Sequence, residues 1–231
     1  MESPFLDFIR LVAHGDIDDV SRRVADSPAL AITASEIGAS RQNAVPFFLV
    51  EIAHYLYVGD TALHIAAAAF RRPVAECLIA HGADCRARNR RGAEPLHYAA
   101  DANRWNPSAQ RDIIEYLASV GADPNTVDHT GVTPLHRAVR TRSLSAVRAL
   151  VGAGASPTQP NRAGSTPLHL AVQTTGRGGS GSETAREQQA GIIRLLFEHG
   201  ARPTDRDRKG KQVHQAATNQ WVRTLLVELA G

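Results

Sequence analysis

The chain has 231 residues, a formal charge of +3, and 43% hydrophobic but only 5% aromatic content. Its core must therefore be built from Ala, Leu, Val and Ile, which favours closely packed helices over an aromatic-rich sandwich. Two cysteines, Cys77 and Cys85, are too few for a zinc site or a disulfide framework, and no apolar run reaches the length of a membrane span.

In chain order, residues 11–31 (LVAHGDIDDVSRRVADSPALA) read as a degenerate helix pair suited to cap the N-terminal end of a larger array. Before them, Glu2 and Asp7 stand where a signal peptide carries positive charge, so a soluble, cytoplasmic chain is expected. Residues 32–58 follow, far longer than a turn. Pro46, then Phe48, Ile52 and Tyr55 at i, i+4 and i+7, predict an amphipathic helix there. Two roles stay open for this segment: thickening the cap, or docking a partner.

From Gly59 the chain repeats itself: GDTALHIAA, GAEPLHYAA, GVTPLHRAV and GSTPLHLAV, with a weaker copy, GKQVHQAA, from Gly210. Their histidines are His64, His97, His136 and His169, at intervals of 33, 39 and 33 residues, with His214 in the last copy. Thr133 and Thr166 suit a helix N-cap, and Pro134 and Pro167 the first helical position. Glu94 and Gln212 replace that threonine, a cap weaker by roughly 1 kcal/mol. Short first helices with paired small residues such as Ala99 and Ala100 allow close approach. Second helices follow as VAECLIA, IIEYLAS, AVRALVG and IIRLLFE. Gly82, Gly121, Gly154 and Gly200 then end them where the chain must turn left-handed.

A helix pair with one apolar face cannot fold alone, and stacking buries those faces against one another. The period and the T-P-L-H-x-A phrase resemble the ankyrin repeat family over residues 59–231. The resemblance implies an all-α solenoid of helix-turn-helix units with β-turn or hairpin fingers. The expected organisation is a capping repeat with its extended finger over 1–58, four repeats over 59–209 and a capping repeat over 210–231. Extra residues fall between the two helices of a repeat, near 101–112 and 173–191.

The second insertion contains GRGGSG, which fits the G-x-G-x-x-G spacing of a dinucleotide cradle. It follows a helix instead of a strand and lacks a βαβ setting, so it reads as flexible connection. Ser182 is placed to cap the helix that follows, with Glu183 near its first position. The five repeat histidines recur one unit apart instead of converging on an ion, and the resemblance gives them backbone hydrogen bonds that hold finger to helix. No metal, cofactor or catalytic residue is expected, and no H-E-x-x-H, G-x-S-x-G or complete P-loop occurs.

Charge at the turns remains. Only Lys209 and Lys211 are lysines among 26 basic residues, which has two readings: GC-rich coding, or a functional arginine face. The family resemblance places recognition on finger tips and the concave face of the first helices. Matched position by position, that surface is Arg88, Arg90, Arg91, Asp101, Val127, His129, Thr130, Arg140, Thr141, Arg162, Gln173, Arg206, Arg208 and Lys209, with Trp105 an added aromatic anchor candidate. Arg137 and Arg142 add to the basic count of the middle repeat. The expectation is a monomeric, non-enzymatic module that binds another protein through this groove, with an acidic surface favoured electrostatically. The alternative is nucleic acid or a phosphorylated ligand on the same arginines, disfavoured because acids are mixed among them.

Overall fold

The computed structural model describes residues 4–101, 106–173 and 181–230. Among the described residues its regular structure is helical apart from one small ribbon and two isolated bridges, Ala34–Thr61 and Arg206–Gln212. Helices α1 (Pro4–His14), α2 (Ile17–Asp26) and the short α3 (Ala29–Ile32) form the N-terminal end. In α1, Leu6, Phe8, Ile9, Val12 and Ala13 are buried along one face, and Asp16 caps α2 by accepting from the Asp19 amide at 3.1 Å.

Five helix pairs follow: α4 (Ala62–Ala68) with α5 (Arg72–Ala80), α6 (Pro95–Ala99) with α7 (Pro107–Ser119), α8 (Pro134–Arg140) with α9 (Leu144–Gly152), α10 (Pro167–Ala171) with α11 (Glu183–Glu198), and α12 (Val213–Ala216) with α13 (Gln220–Ala230). First helices contact one another in succession from α4 to α12. Second helices do the same from α2 through α5 to α13. Ala62, Ala66, Ala67, Ala99, Ala100 and Ala138 are buried where the first helices meet, and their small side chains permit this spacing.

The repeated histidine supplies the joints. His64 Nδ1 accepts from the Thr61 amide at 3.1 Å, and His97, His136 and His169 accept likewise from Glu94, Thr133 and Thr166 at 3.1, 3.3 and 3.2 Å. An Nδ1 that accepts from an amide leaves the proton on Nε2. That proton is donated to the next finger: to Ala93, Val132, Ser165 and Lys211 carbonyls at 3.1, 3.0, 3.0 and 3.3 Å. Burial pulls the pKa of His64 and His136 down and that of His97 to about 3, so the neutral ring is the working form. His214 departs from the expected equivalence. In the last copy the histidine stands one position early, so Gln215 takes the capping position, while His214 Nδ1 faces the Pro203 carbonyl at 3.3 Å.

Fingers are joined edge to edge. The amides of Arg90, His129, Arg162 and Arg208 donate to the carbonyls of Val58, Arg91, Thr130 and Ala163 at 3.0, 2.8, 3.1 and 3.1 Å. At each tip one side-chain oxygen, from Asn89, Asp128, Asn161 or Asp207, accepts from the amides two and four residues on. Gly164 has φ +79°, and a Cβ there would stand 2.4 Å from the Arg208 amide nitrogen, so the finger-to-finger contact itself requires glycine.

The predicted amphipathic helix over 46–55 is not formed. Residues Val45–Phe47 and Val50–Ile52 are single 3-10 turns, and strands β1 (Phe48–Leu49) and β2 (His54–Tyr55) pair antiparallel between them. Of Phe48, Ile52 and Tyr55, whose spacing mimicked a helix, only Ile52 is buried; the inward set is Phe47, Leu49, Ile52 and Leu56, while Phe48 stays partly exposed on the outer face. Tertiary contacts outweigh the helical periodicity of so short a segment. Ala53 takes φ +50° to close the turn. The predicted cap at Ser182 is formed, accepting from the Ala185 amide at 3.2 Å, and α11 runs 16 residues from it. GRGGSG lies mostly outside the described residues.

Candidate functional site

The 33–58 segment folds back on the second repeat. Ser35 exchanges backbone bonds with Asp60 and Gly59 at 2.8 and 2.7 Å, and the Ala39 amide donates to Leu56 at 2.8 Å. This carries Tyr57 and His54 onto the concave side. The Tyr57 ring then lies 4.0 Å from the Arg91 guanidinium and 5.6 Å from that of Arg90, and Arg90 donates to the Ala39 carbonyl at 2.6 Å.

Behind Tyr57 is a fully buried carboxylate held by neutral donors. Asp60 accepts from the Tyr57 amide at 2.7 Å, from Asn89 Nδ2 at 2.8 Å and from the Tyr98 hydroxyl at 2.8 Å. Burial, with Asp60 beside it, pushes the Tyr98 hydroxyl well above its ordinary range, so it remains a donor. The His54 ring packs edge-on to Tyr98 at 4.7 Å, and its Nε2 is buried without a protein hydrogen-bond partner. Burial lowers the pKa of His54.

One repeat further on, Arg137 is buried at 9% exposure and bound on two sides: Nη1 to Asp101 at 2.9 Å, Nη2 to Asp128 at 3.2 Å. Burial alone would lower its pKa, but the two carboxylates reverse the sign. Burial would likewise raise Asp128, yet hydrogen bonds from Thr130, Val132 and Arg137 hold its carboxyl below the ordinary range. Arg140 reaches Asp101 at 3.4 Å from an exposed position.

These groups enclose a cleft of about 510 Å³ between the insertion, two fingers and two first helices. Six of the sequence-expected residues meet there: Arg90, Arg91, Asp101, His129, Thr130 and Arg140. The others lie elsewhere. Arg88 donates to the Val127 carbonyl and lies 3.5 Å from Glu94, so it bridges fingers more than it faces outward. Thr141 turns its hydroxyl to the Arg137 carbonyl at 3.1 Å, Arg162 packs against Gly131, and the Gln173 carbonyl accepts from Arg142 at 3.1 Å. Arg206 donates to Gly210 at 2.9 Å; Arg208 and Lys209 are exposed on the last finger. Trp105 lies outside the described residues.

Two readings need correction. Arg137 is not a free surface cation, because Asp101 and Asp128 neutralise it. Glu94 is not simply a poor cap: it accepts from the Thr126 hydroxyl at 2.7 Å in the next finger. Sequence reasoning missed His54, Tyr57, Asp60 and Tyr98. The one signal for them was the unusual Asp after Gly59 together with a tyrosine-rich run just before it.

The sequence profile for Ankyrin repeats (3 copies) matches residues 32–128 and 106–207. The chain belongs to the ankyrin repeat family. Repeats of this kind are generally protein–protein interaction modules and not enzymes. Comparison with curated proteins gives no significant match. Among the described residues, no helix is long and apolar enough to cross a membrane.

Proposed function

We propose that this chain is a monomeric, cytoplasmic, non-enzymatic solenoid that binds another protein through its concave groove and finger tips, with an acidic surface on that partner facing the arginines. In this reading residues 1–58 and 210–231 are caps, and 59–209 form the recognition array. The observation that carries it is the gathering of Arg90, Arg91 and Arg140 with Thr130 and His129 on the side where the insertion overhangs the fingers. A preformed groove loses little ordering entropy on association. Asp101 and Asp128 interleaved among the arginines weigh against a nucleic-acid backbone, which needs an unbroken basic track.

The test is site-specific photocrosslinking from Thr130 and Lys209 in cells, with captured proteins identified by mass spectrometry. The reading requires one discrete protein adduct, reduced when Arg90, Arg91 and Arg140 are reversed to Glu in a folded variant. Undiminished capture by that variant, or capture of RNA in place of protein, sinks it.

A further inference from the structure

We propose that the cleft between the 33–58 insertion and the two fingers is a carboxylate receptor, in which Arg91 and Arg140 take a Glu or Asp side chain from an extended acidic segment of the partner protein. This rests on the protein-binding reading and assigns it a residue class and a place.

Charge sets the occupant's sign. Four guanidiniums and two carboxylates line the cleft. Asp101 and Asp128 are both engaged by Arg137. Among the described residues no carboxylate pairs with Arg91, whose guanidinium lies over the Tyr57 ring at 4.0 Å. The Arg140 side chain is 61% exposed, and among the described residues its one ion pair is the long one to Asp101, at 3.4 Å. Two guanidiniums with donors to spare therefore flank one opening, and a guanidinium's planar fork suits bidentate bonds to a carboxylate. A phosphoryl dianion fits less well, because Asp101 and Asp128 stand in the same cleft and repel the second charge.

The cleft wall also carries a polar atom that the protein leaves unpaired. Among the described residues, His54 Nε2 is buried beside the cleft with no hydrogen-bond partner.

Shape sets the occupant's length. A second cleft, about 470 Å³, lies on the other side of Tyr57 and shares Tyr57, Arg90 and Arg91 with the first. The shared wall makes a continuous basic path across the insertion, longer than a small acid covers. An extended peptide spans both, with Arg90 facing the second cleft.

The experiment uses the full chain and a short, end-blocked fluorescent peptide alternating Glu and Ser, read by anisotropy. Its Gln counterpart, its phosphoserine counterpart and free glutarate are compared. Binding of the Glu peptide, weakened about tenfold or more by either Arg91→Gln or Arg140→Gln and unchanged by Arg148→Gln on the exposed face of α9, supports the assignment. Arg140→Gln is the variant least able to disturb folding, and thermal melts accompany both. Equal binding of Glu and Gln peptides overturns the proposal. So does tighter binding of the phosphoserine peptide, or glutarate competing as strongly as the peptide itself. If crosslinked partner capture survives Arg91→Gln with Arg140→Gln yet falls when Arg90, Arg91 and Arg140 are all reversed to Glu, this cleft assignment fails and the broader reading stands. If the cleft selects Glu peptide but no protein is ever captured, the broader reading fails alone.

Discussion

Arg137 Nη1 lies 2.9 Å from Asp101 Oδ2, an ion pair that joins two successive repeats with both side chains largely out of solvent. Because Asp128 holds the other guanidinium nitrogen, removing the arginine leaves two carboxylates under-compensated. Arg137→Ala should cost about 3–5 kcal/mol, measured by urea denaturation. Replacing the acids as well, with Asn at 101 and 128 and Met at 137, should recover most of that loss. Asn is already the residue that holds the equivalent finger at Asn89 and Asn161. A loss under 1 kcal/mol for Arg137→Ala would contradict this account.

Acid should loosen the array. The folded pKa values of His64, His97 and His136 lie below 6.5, with His97 at about 3, so the unfolded chain binds protons that the native one does not. Their contribution is complete above about pH 6.5 and declines as pH falls toward the folded values. Each contributes a slope of up to about 1.4 kcal/mol per pH unit within its own window. Asp128, whose folded pKa is lowered, adds a loss in the same direction at lower pH. Urea midpoints at several pH values between neutrality and pH 4 should fall steadily; a flat profile would count against the neutral-imidazole joints.

Two glycines should respond oppositely to alanine. Gly164→Ala places a Cβ against the Arg208 backbone at positive φ and should destabilise by about 1–3 kcal/mol. Gly152 is the last residue of α9, and a Cβ added there meets nothing within 4 Å, so Gly152→Ala should gain about 0.4–1 kcal/mol by restricting the unfolded chain. Thermal unfolding of the pair gives the signs directly, and equal signs would refute the packing argument.

Tyr57→Ala should detach the insertion from the fingers without unfolding the array. It removes the ring between Arg90 and Arg91, a cation–π contact of about 0.5–2 kcal/mol, but leaves the Tyr57 amide bond to Asp60. Hydrogen exchange should accelerate at Ala39 and Leu56 while helices α8 to α11 keep their protection. Uniform acceleration across the chain would show that the insertion is integral to the core instead.

The repeat units were legible in the sequence because their determinants are local. A cap, a proline, a paired alanine and a terminating glycine sit at fixed offsets, as does Ser182 ahead of α11. The insertion was not legible, because Phe47, Leu49, Ile52 and Leu56 obtain their direction from the surface they cover and not from their own period. The candidate cleft was half visible. Position alone pointed to Arg90, Arg91 and Arg140, but neutralisation of Arg137 depends on Asp101, 36 residues away, and the Tyr57 contribution depends on the fold-back.

The imidazole bonds all run one way, from each unit to the carbonyl of its successor. Shortening this protein is therefore an asymmetric operation. A cut on the amino side strips a carbonyl, which water readily serves; a cut on the carboxyl side strands a ring proton inside a helix joint. Truncation from the two ends should yield products of unequal solubility, and the weaker half should always be the one that has lost its downstream neighbour.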